Sequence, residues 1–272
     1  MSNLALILRA LAAVLALYLL LCAAMFALQR RLQYLPDATP VNAVAAGLPQ
    51  AATEVLVTTD GERLQTWWIA PTRSDAPVYL YFHGNGANLH ARAQRFARIT
   101  TGGAGLLAVS WRGYGGSTGE PTEAGLLTDA RSAYRTLAVR VDPRRIVAYG
   151  ESLGTTLATL LAAEVPVGAL VLDSSFDSAL DVARNAYPWL PVSLLMRDTF
   201  RADLAAPRVT VPVLQIHCRY DPVTPLAAAE RLQRRFASAR PLVVLDQHCH
   251  VPSLLDYEGA LVDFVAGAWP RR

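Results

Sequence analysis

IVAYGESLGT, residues 146–155, is a short apolar run followed by Gly-x-Ser-x-Gly around Ser152, and it leads into LGTTLATLLAA, which has the composition of a helix. Ser152 is therefore either a hydroxyl that caps a helix or a nucleophile presented by a sharp strand-to-helix turn. A cap makes no demand for glycines. A turn tight enough to lift Oγ above a sheet puts the serine in strained backbone, and flanking glycines relieve the crowding. The start of the helix then offers free N–H groups where an oxyanion would form. The pattern alone arises by chance in roughly one chain of this length in ten, so its surroundings decide.

Outward from Ser152, apolar runs recur at 54–58, 64–69, 78–82, 106–111, 169–172, 213–217 and 242–245. Asp60-Gly61 joins the first two as a hairpin signal. Helix-like segments at about 88–100, 122–139, 153–164, 225–237 and 252–267 separate the later ones. Continuous apolar strands alternating with amphipathic helices predict a mostly parallel sheet covered on both faces. Between 179 and 210 the alternation lapses into a short helical insertion containing YPWLPVSLLM, too small for a domain of its own.

Three further features bear on Ser152. HGNG at 83–86 closes a buried strand and begins a glycine-rich turn, which can present the N–H of Asn85 as one oxyanion donor beside that of Leu153. His83 itself reads as structural. An acid must orient the histidine that activates a serine; Asp221 in RYDPVTP follows the next-to-last strand, and Asp173 in LVLDSSF is its competitor. The base lies after the last strand, in LDQHCHVP, as His250 or His248. His250 stands directly before the final helix, where a base is expected. His90 and His217 read as a helix-surface residue and a strand-end residue.

Taken together, HGNGAN, SWRGYGGSTGEPT, GESLGT, LDSSFDS, CRYDPVTP and the late histidine fall in an order that resembles the α/β-hydrolase superfamily over nearly the whole chain. The set is most similar to serine hydrolases with one N-terminal membrane helix and a QRRLxYxP-like juncture, the serine-aminopeptidase-like and depalmitoylase-like branch. That resemblance implies the α/β-hydrolase fold, with Ser152 as nucleophile, Asp221 as acid, His250 as base, Asn85 and Leu153 as oxyanion donors, and no metal or organic cofactor. It departs at Cys249 and Val251-Pro252, where similar proteins carry Gly before the histidine and Asn-Asp after it. The implied activity is hydrolysis of an ester or thioester, including lipid or acylated substrates. A peptidase of the same fold and a catalytically silent, membrane-tethered interaction protein are the alternatives. The Arg112–Gly119 loop matches a feature of that family, and the resemblance implies for it an architectural and no catalytic role.

Residues 10–28 carry no charge, and 19 helical residues span roughly 28 Å, close to the hydrocarbon thickness of a bilayer. The run passes into QRRLQYLP with no small-x-small cleavage site, so it reads as a retained anchor rather than a signal peptide. Arg9 and Arg30-Arg31 flank it on both sides, and the charge balance therefore sets no orientation. The organisation expected is a transmembrane anchor over 4–29, a juxtamembrane linker over 30–53, and a hydrolase domain over 54–272 with a lid at about 179–210. The net charge of +3 comes from arginines in runs of two or three at most, which argues against a nucleic-acid partner. Cys22, Cys218 and Cys249 match no metal-binding spacing; Cys218 and Cys249 each follow a strand-like run and could meet as a disulfide, but all three are read as free buried thiols.

Overall fold

The computed structural model describes residues 3–268; Met1, Ser2 and the last four residues of the 54–272 domain lie outside the described residues. The strands are β1 (Leu35–Pro36), β2 (Ala52–Val57), β3 (Arg63–Ile69), β4 (Val78–Phe82), β5 (Gly86–Ala87), β6 (Gly105–Val109), β7 (Ile146–Glu151), β8 (Ala169–Asp173), β9 (Val213–Cys218) and β10 (Val243–Leu245). The helices are α1 (Asn3–Gln33), α2 (Ala93–Ile99), α3 (Glu123–Ala138), α4 (Leu153–Ala162), α5 (Ala179–Ala186), α6 (Val192–Leu195), α7 (Ala202–Ala205), α8 (Leu226–Gln233) and α9 (Glu258–Ala268).

The main sheet runs β10-β9-β8-β7-β4-β6-β3-β2. Pairings β2–β3 and β3–β6 are antiparallel; those from β6 through β4 to β10 are parallel. Every residue of β4, β6, β7, β8 and β9 is buried. Helices cover both faces, which is why these strands read as continuous apolar runs. Alternate side chains divide two cores. Leu80, Phe82, Leu107 and Val109 pack with Leu126 of α3 and Leu157 of α4. Tyr79, Tyr81 and Tyr149 pack with Phe96 of α2 and Phe264 of α9. This is the α/β-hydrolase fold anticipated from the sequence.

α1 is apolar over most of its surface and buries only Cys22 among its residues. It is long and apolar enough to cross a membrane. The segment 30–53, read as a linker from its composition, remains helical as far as Gln33 and then lies on the body. β1 pairs with β5, and Tyr34, Ala43, Leu48 and Ala51 are buried in the two cores. Irregular backbone has no apolar period, so small core residues within it look like linker. The insertion at 179–210 comprises α5, α6 and α7.

The cysteines require a correction, because Cys218 and Cys249 form a disulfide rather than free thiols. Their Cα atoms are 5.8 Å apart, within the range a disulfide spans. Pairing of Leu245 with Cys218 sets the register. The chain after β10 then folds back, with the N–H of Tyr220 donating to the Gln247 carbonyl at 3.1 Å. Parallel pairing of two late strands is a tertiary fact that cysteine spacing does not encode.

α4 meets β4 with almost no side chain between the two backbones. A Cβ on Gly154 would lie 2.7 Å from the carbonyl carbon of Phe82 and 2.8 Å from the carbonyl oxygen of His83. We therefore expect Gly154→Ala to destabilise the fold by about 1–3 kcal/mol, read by denaturant unfolding. The disulfide closes a loop of sequence separation 31, worth roughly 3–4 kcal/mol in the chain-entropy picture. Cys249→Ser should accordingly lower Tm by about 10 °C; an unchanged Tm would show that the crosslink constrains nothing.

Candidate active site

The C-terminal ends of the parallel strands bring the reactive groups together, as open α/β sheets do generally. β7 ends at Glu151 and α4 begins at Leu153, so Ser152 alone makes the turn. Its backbone sits at φ 50°, ψ −116°, a conformation that L-residues rarely adopt and that costs on the order of 1–3 kcal/mol. Its N–H donates to the Asp173 carbonyl at 2.8 Å, and its carbonyl accepts from the Thr155 N–H at 2.9 Å. The glycines of the motif make this possible. A Cβ on Gly150 would come within 2.5 Å of the Thr155 Cα, on the chain doubling back.

The hydroxyl of Ser152 makes no capping bond to α4. It donates instead to Nε2 of His250 at 2.7 Å, and His250 Nδ1 donates to Oδ2 of Asp221 at 2.8 Å. Asp221 also accepts from the N–H groups of Val223 at 2.7 Å and Thr224 at 2.9 Å, and from the Thr224 hydroxyl at 3.0 Å. Burial works against its charge. The bond from His250 and the two backbone N–H groups outweigh burial and hold the carboxyl below the usual range. The Asp221 side chain is shielded from solvent while that of His250 is 23% exposed.

The competing residues lie elsewhere. His248 stacks on Tyr220 with ring centroids 4.5 Å apart. Asp173 is wholly buried, pairs with Arg95 and accepts from the Tyr257 hydroxyl at 2.7 Å. His83 is buried, and burial pushes its pKa down to about 3, so it is neutral; its Nδ1 lies 2.6 Å from the Gly84 carbonyl. His217 is buried with Nε2 2.9 Å from the Thr224 carbonyl, and His90 is exposed. Arg112 pairs with Asp129 at 2.7 Å and Asp60 at 2.9 Å, an architectural clasp.

Residues to which no motif assigned a role hold the HGNG turn. Glu151, between Gly150 and Ser152, is buried and pairs with Arg92 at 2.5 Å. It also accepts from the Tyr81 hydroxyl at 2.5 Å and the Gly84 N–H at 3.3 Å. Burial alone would raise its pKa; the adjoining Arg92 guanidinium reverses that and lowers it to about 2. Arg92 also donates to the carbonyls of Gly86 at 2.9 Å and Asn88 at 3.1 Å. The amide of Asn85 donates to the Gln33 carbonyl at 2.6 Å, and its Oδ1 accepts from Tyr114 at 3.0 Å. The HGNG turn is thus fixed from both sides. A carboxylate inside an otherwise uncharged strand was the one sequence signal for Glu151.

A cavity of about 890 Å³ opens at Ser152, toward the upper end of the range for small-molecule sites. Asn85, Leu153 and His250 line its reactive end, and its remaining wall is largely apolar, including Met25, Leu32, Phe176, Val182 and Leu195. Arg92, Arg95 and Glu151 also line it, and each arginine is paired with a carboxylate.

A family model described as alpha/beta hydrolase fold matches residues 77–211. An uncharacterized protein of Mycobacterium tuberculosis is 38% identical over 232 residues, covering 84% of this chain and 83% of its own length. Lysophosphatidylserine lipase ABHD12 of Danio rerio is 27% identical over 196 residues, 65% of this chain and 51% of that protein. Among solved structures, the Pyrococcus furiosus esterase Pf2001 superposes with a TM-score of 0.68 at 21% identity, covering 86% of this chain and 99% of the esterase. At that identity the likeness is one of fold. With a relative 38% identical over 84% of the chain, the family model over 77–211 and the fold in agreement, this protein belongs to the alpha/beta hydrolase superfamily.

Proposed function

We propose that the protein is a membrane-anchored serine hydrolase that cleaves carboxylic esters or thioesters through an acyl-enzyme. The observation that carries this reading is the unbroken chain Ser152–His250–Asp221, with links of 2.7 Å and 2.8 Å, on the wall of a largely apolar cavity. Ser152 Oγ attacks the acyl carbonyl while His250 Nε2 takes its proton. Asp221 holds the imidazole in the tautomer that leaves Nε2 unprotonated and stabilises the imidazolium that follows. The backbone N–H groups of Asn85 and Leu153 receive the oxyanion, a contribution worth about 3–4 kcal/mol per donor in comparable sites. His250 then returns the proton to the leaving alcohol or thiol. Water activated by the same histidine releases the acyl group.

The cavity supports ester or thioester substrates over peptides. Glu151 is the one acid among its lining residues, and its charge is matched by Arg92, which leaves no carboxylate to receive a peptide amine. α1 supports the anchor: no charged residue falls between Arg9 and Arg30.

Three outcomes follow. Ser152→Ala should lower kcat for p-nitrophenyl butyrate by at least about 10⁴-fold, and Asp221→Asn by about 10⁴-fold; wild-type turnover in Ser152→Ala would sink the mechanism. His250→Ala should be as inactive as Ser152→Ala while His248→Ala stays within a few-fold of wild type, and the reverse pattern would move the base to His248. The third concerns Glu151, whose pKa the Arg92 guanidinium lowers, against burial, from an ordinary value of 4.5 to about 2 in the fold. A depressed carboxyl pKa stabilises the fold above the unfolded value, and that contribution fades as pH falls through the folded one. Stability should decline between pH 4.5 and pH 2 by roughly 3 kcal/mol on account of this group. Glu151→Gln should flatten that part of the pH–stability curve, and an unchanged curve would refute the assignment.

A further inference from the structure

The insertion that covers the cavity is fastened to α1 along more than three turns. At the C-terminal end the fastening is polar. Gln29 donates to the Leu195 carbonyl at 3.0 Å and accepts from the Arg197 N–H at 2.7 Å. Arg30 pairs with Asp198 at 2.9 Å, and the Tyr34 hydroxyl donates to the same carboxylate at 3.1 Å. Toward the N-terminus it becomes apolar: Cys22 is buried with Leu190 and Val192, beside Met25, Ala183 and Leu195. The Tyr18 hydroxyl donates to the Trp189 carbonyl at 3.1 Å.

These contacts set depth. Tyr18 precedes Gln29 by 11 residues, so Trp189 lies about 16 Å along the helix axis from the polar end. That places it within the uncharged run of α1, well inside a hydrocarbon layer about 30 Å thick. The insertion leaves Tyr187, Trp189 and Leu194 exposed at 39%, 53% and 85%, a costly surface in water and a favourable one among acyl chains. The reactive end lies at the opposite level. Asn85 is held by the carbonyl of Gln33, the last residue of α1, just past Arg30 and Arg31, where arginines seek the headgroup layer. Between the two levels the cavity wall is shared by Met25 and Leu32 from α1 and by Val182, Ala183, Leu190 and Leu195 from the insertion.

We propose that the substrate is an acyl ester or thioester of a membrane-resident amphiphile, taken laterally from the bilayer. Its chain enters between α1 and the inserted segment 179–197, and its carbonyl reaches Ser152 at headgroup depth without the chain passing through water. The anchor is then one wall of the acyl site and not a tether alone. This inference rests on the serine-hydrolase reading for the bond that breaks, but the path of the chain can be tested without it.

The full-length protein is placed in phosphatidylcholine nanodiscs. Ser152→Ala protein is first photolysed with dodecanoic acid bearing a terminal diazirine, and the adducts are mapped by peptide mass spectrometry. Adducts at Met25, Leu32, Ala183 or Leu195 are expected; adducts confined to the outer surface of α1, with none in 182–196, would overturn the proposal. Wild-type protein is then assayed on p-nitrophenyl esters from four to twelve carbons. Rates should rise by up to about fourfold per methylene while the chain lengthens within the cavity. Met25→Trp and Ala183→Trp should each lower the twelve-to-four-carbon rate ratio at least tenfold. An unchanged ratio in both variants, with hydrolysis intact, removes the acyl path and leaves the hydrolase. Equal turnover of the four-carbon ester by wild type and Ser152→Ala removes the nucleophile instead, and the photolabelling still judges the path.

Discussion

A serine held at φ 50° between two glycines is the constraint around which this molecule is arranged. That backbone angle costs on the order of 1–3 kcal/mol and persists only where its surroundings over-determine it. Here β7 is hydrogen-bonded between β4 and β8, and α4 is pressed onto β4 so closely that Gly154 has no room for a side chain. The strand and the helix are each fixed by the core, and the single residue between them takes the strain. Its hydroxyl consequently projects away from the helix that a capping serine would serve and meets His250.

Two buried ion pairs continue the same logic away from Ser152. Arg92 and Arg95, three residues apart on one side of the 89–99 segment, receive Glu151 from the end of β7 and Asp173 from the end of β8. Such charges are tolerable in a core only when paired and hydrogen-bonded. Each has tyrosine partners: Tyr81 for Glu151, and Tyr257 with Tyr149 for Asp173. The first pair ties the HGNG turn to the strand that delivers Ser152. The second joins β8 to the loop after His250, through Arg95 and the Pro252 carbonyl at 2.6 Å. Removing one partner of either would leave an uncompensated buried charge close to the reactive groups.

The N-terminal helix belongs to this arrangement more intimately than an anchor must. β1 directly follows it and pairs with β5 in the turn that carries Asn85, while Asp198 receives Arg30 from it and Tyr34 from just past its end. Helix, HGNG turn and insertion therefore meet at one corner of the molecule. The cavity is bounded there by residues separated by some 150 positions in the chain.

Much was legible in the chain alone, for reasons that can be named. Buried parallel strands must be apolar throughout, so β4, β6, β7, β8 and β9 announced themselves, and Asp60-Gly61 marked the one hairpin. Backbone strain needs glycines at set positions, which singled out Ser152. The order of Asp221 and His250 after it followed from strand order. The rest depended on which distant segments meet. Its place before the final helix was all that set His250 apart from His248 in the sequence; in the fold, a loop anchored by the Cys218–Cys249 disulfide turns the His250 ring toward Ser152 and stacks that of His248 on Tyr220. Nor could a run of small residues at 36–53 disclose that Ala43 and Leu48 fill the core, or Glu151 disclose that Arg92 would neutralise it. Periodicity and turn chemistry are properties of neighbours in sequence and are readable there. Disulfide pairing, charge compensation and the sharing of a cavity by the N-terminal helix and an insertion are properties of neighbours in space, and only the folded chain decides them.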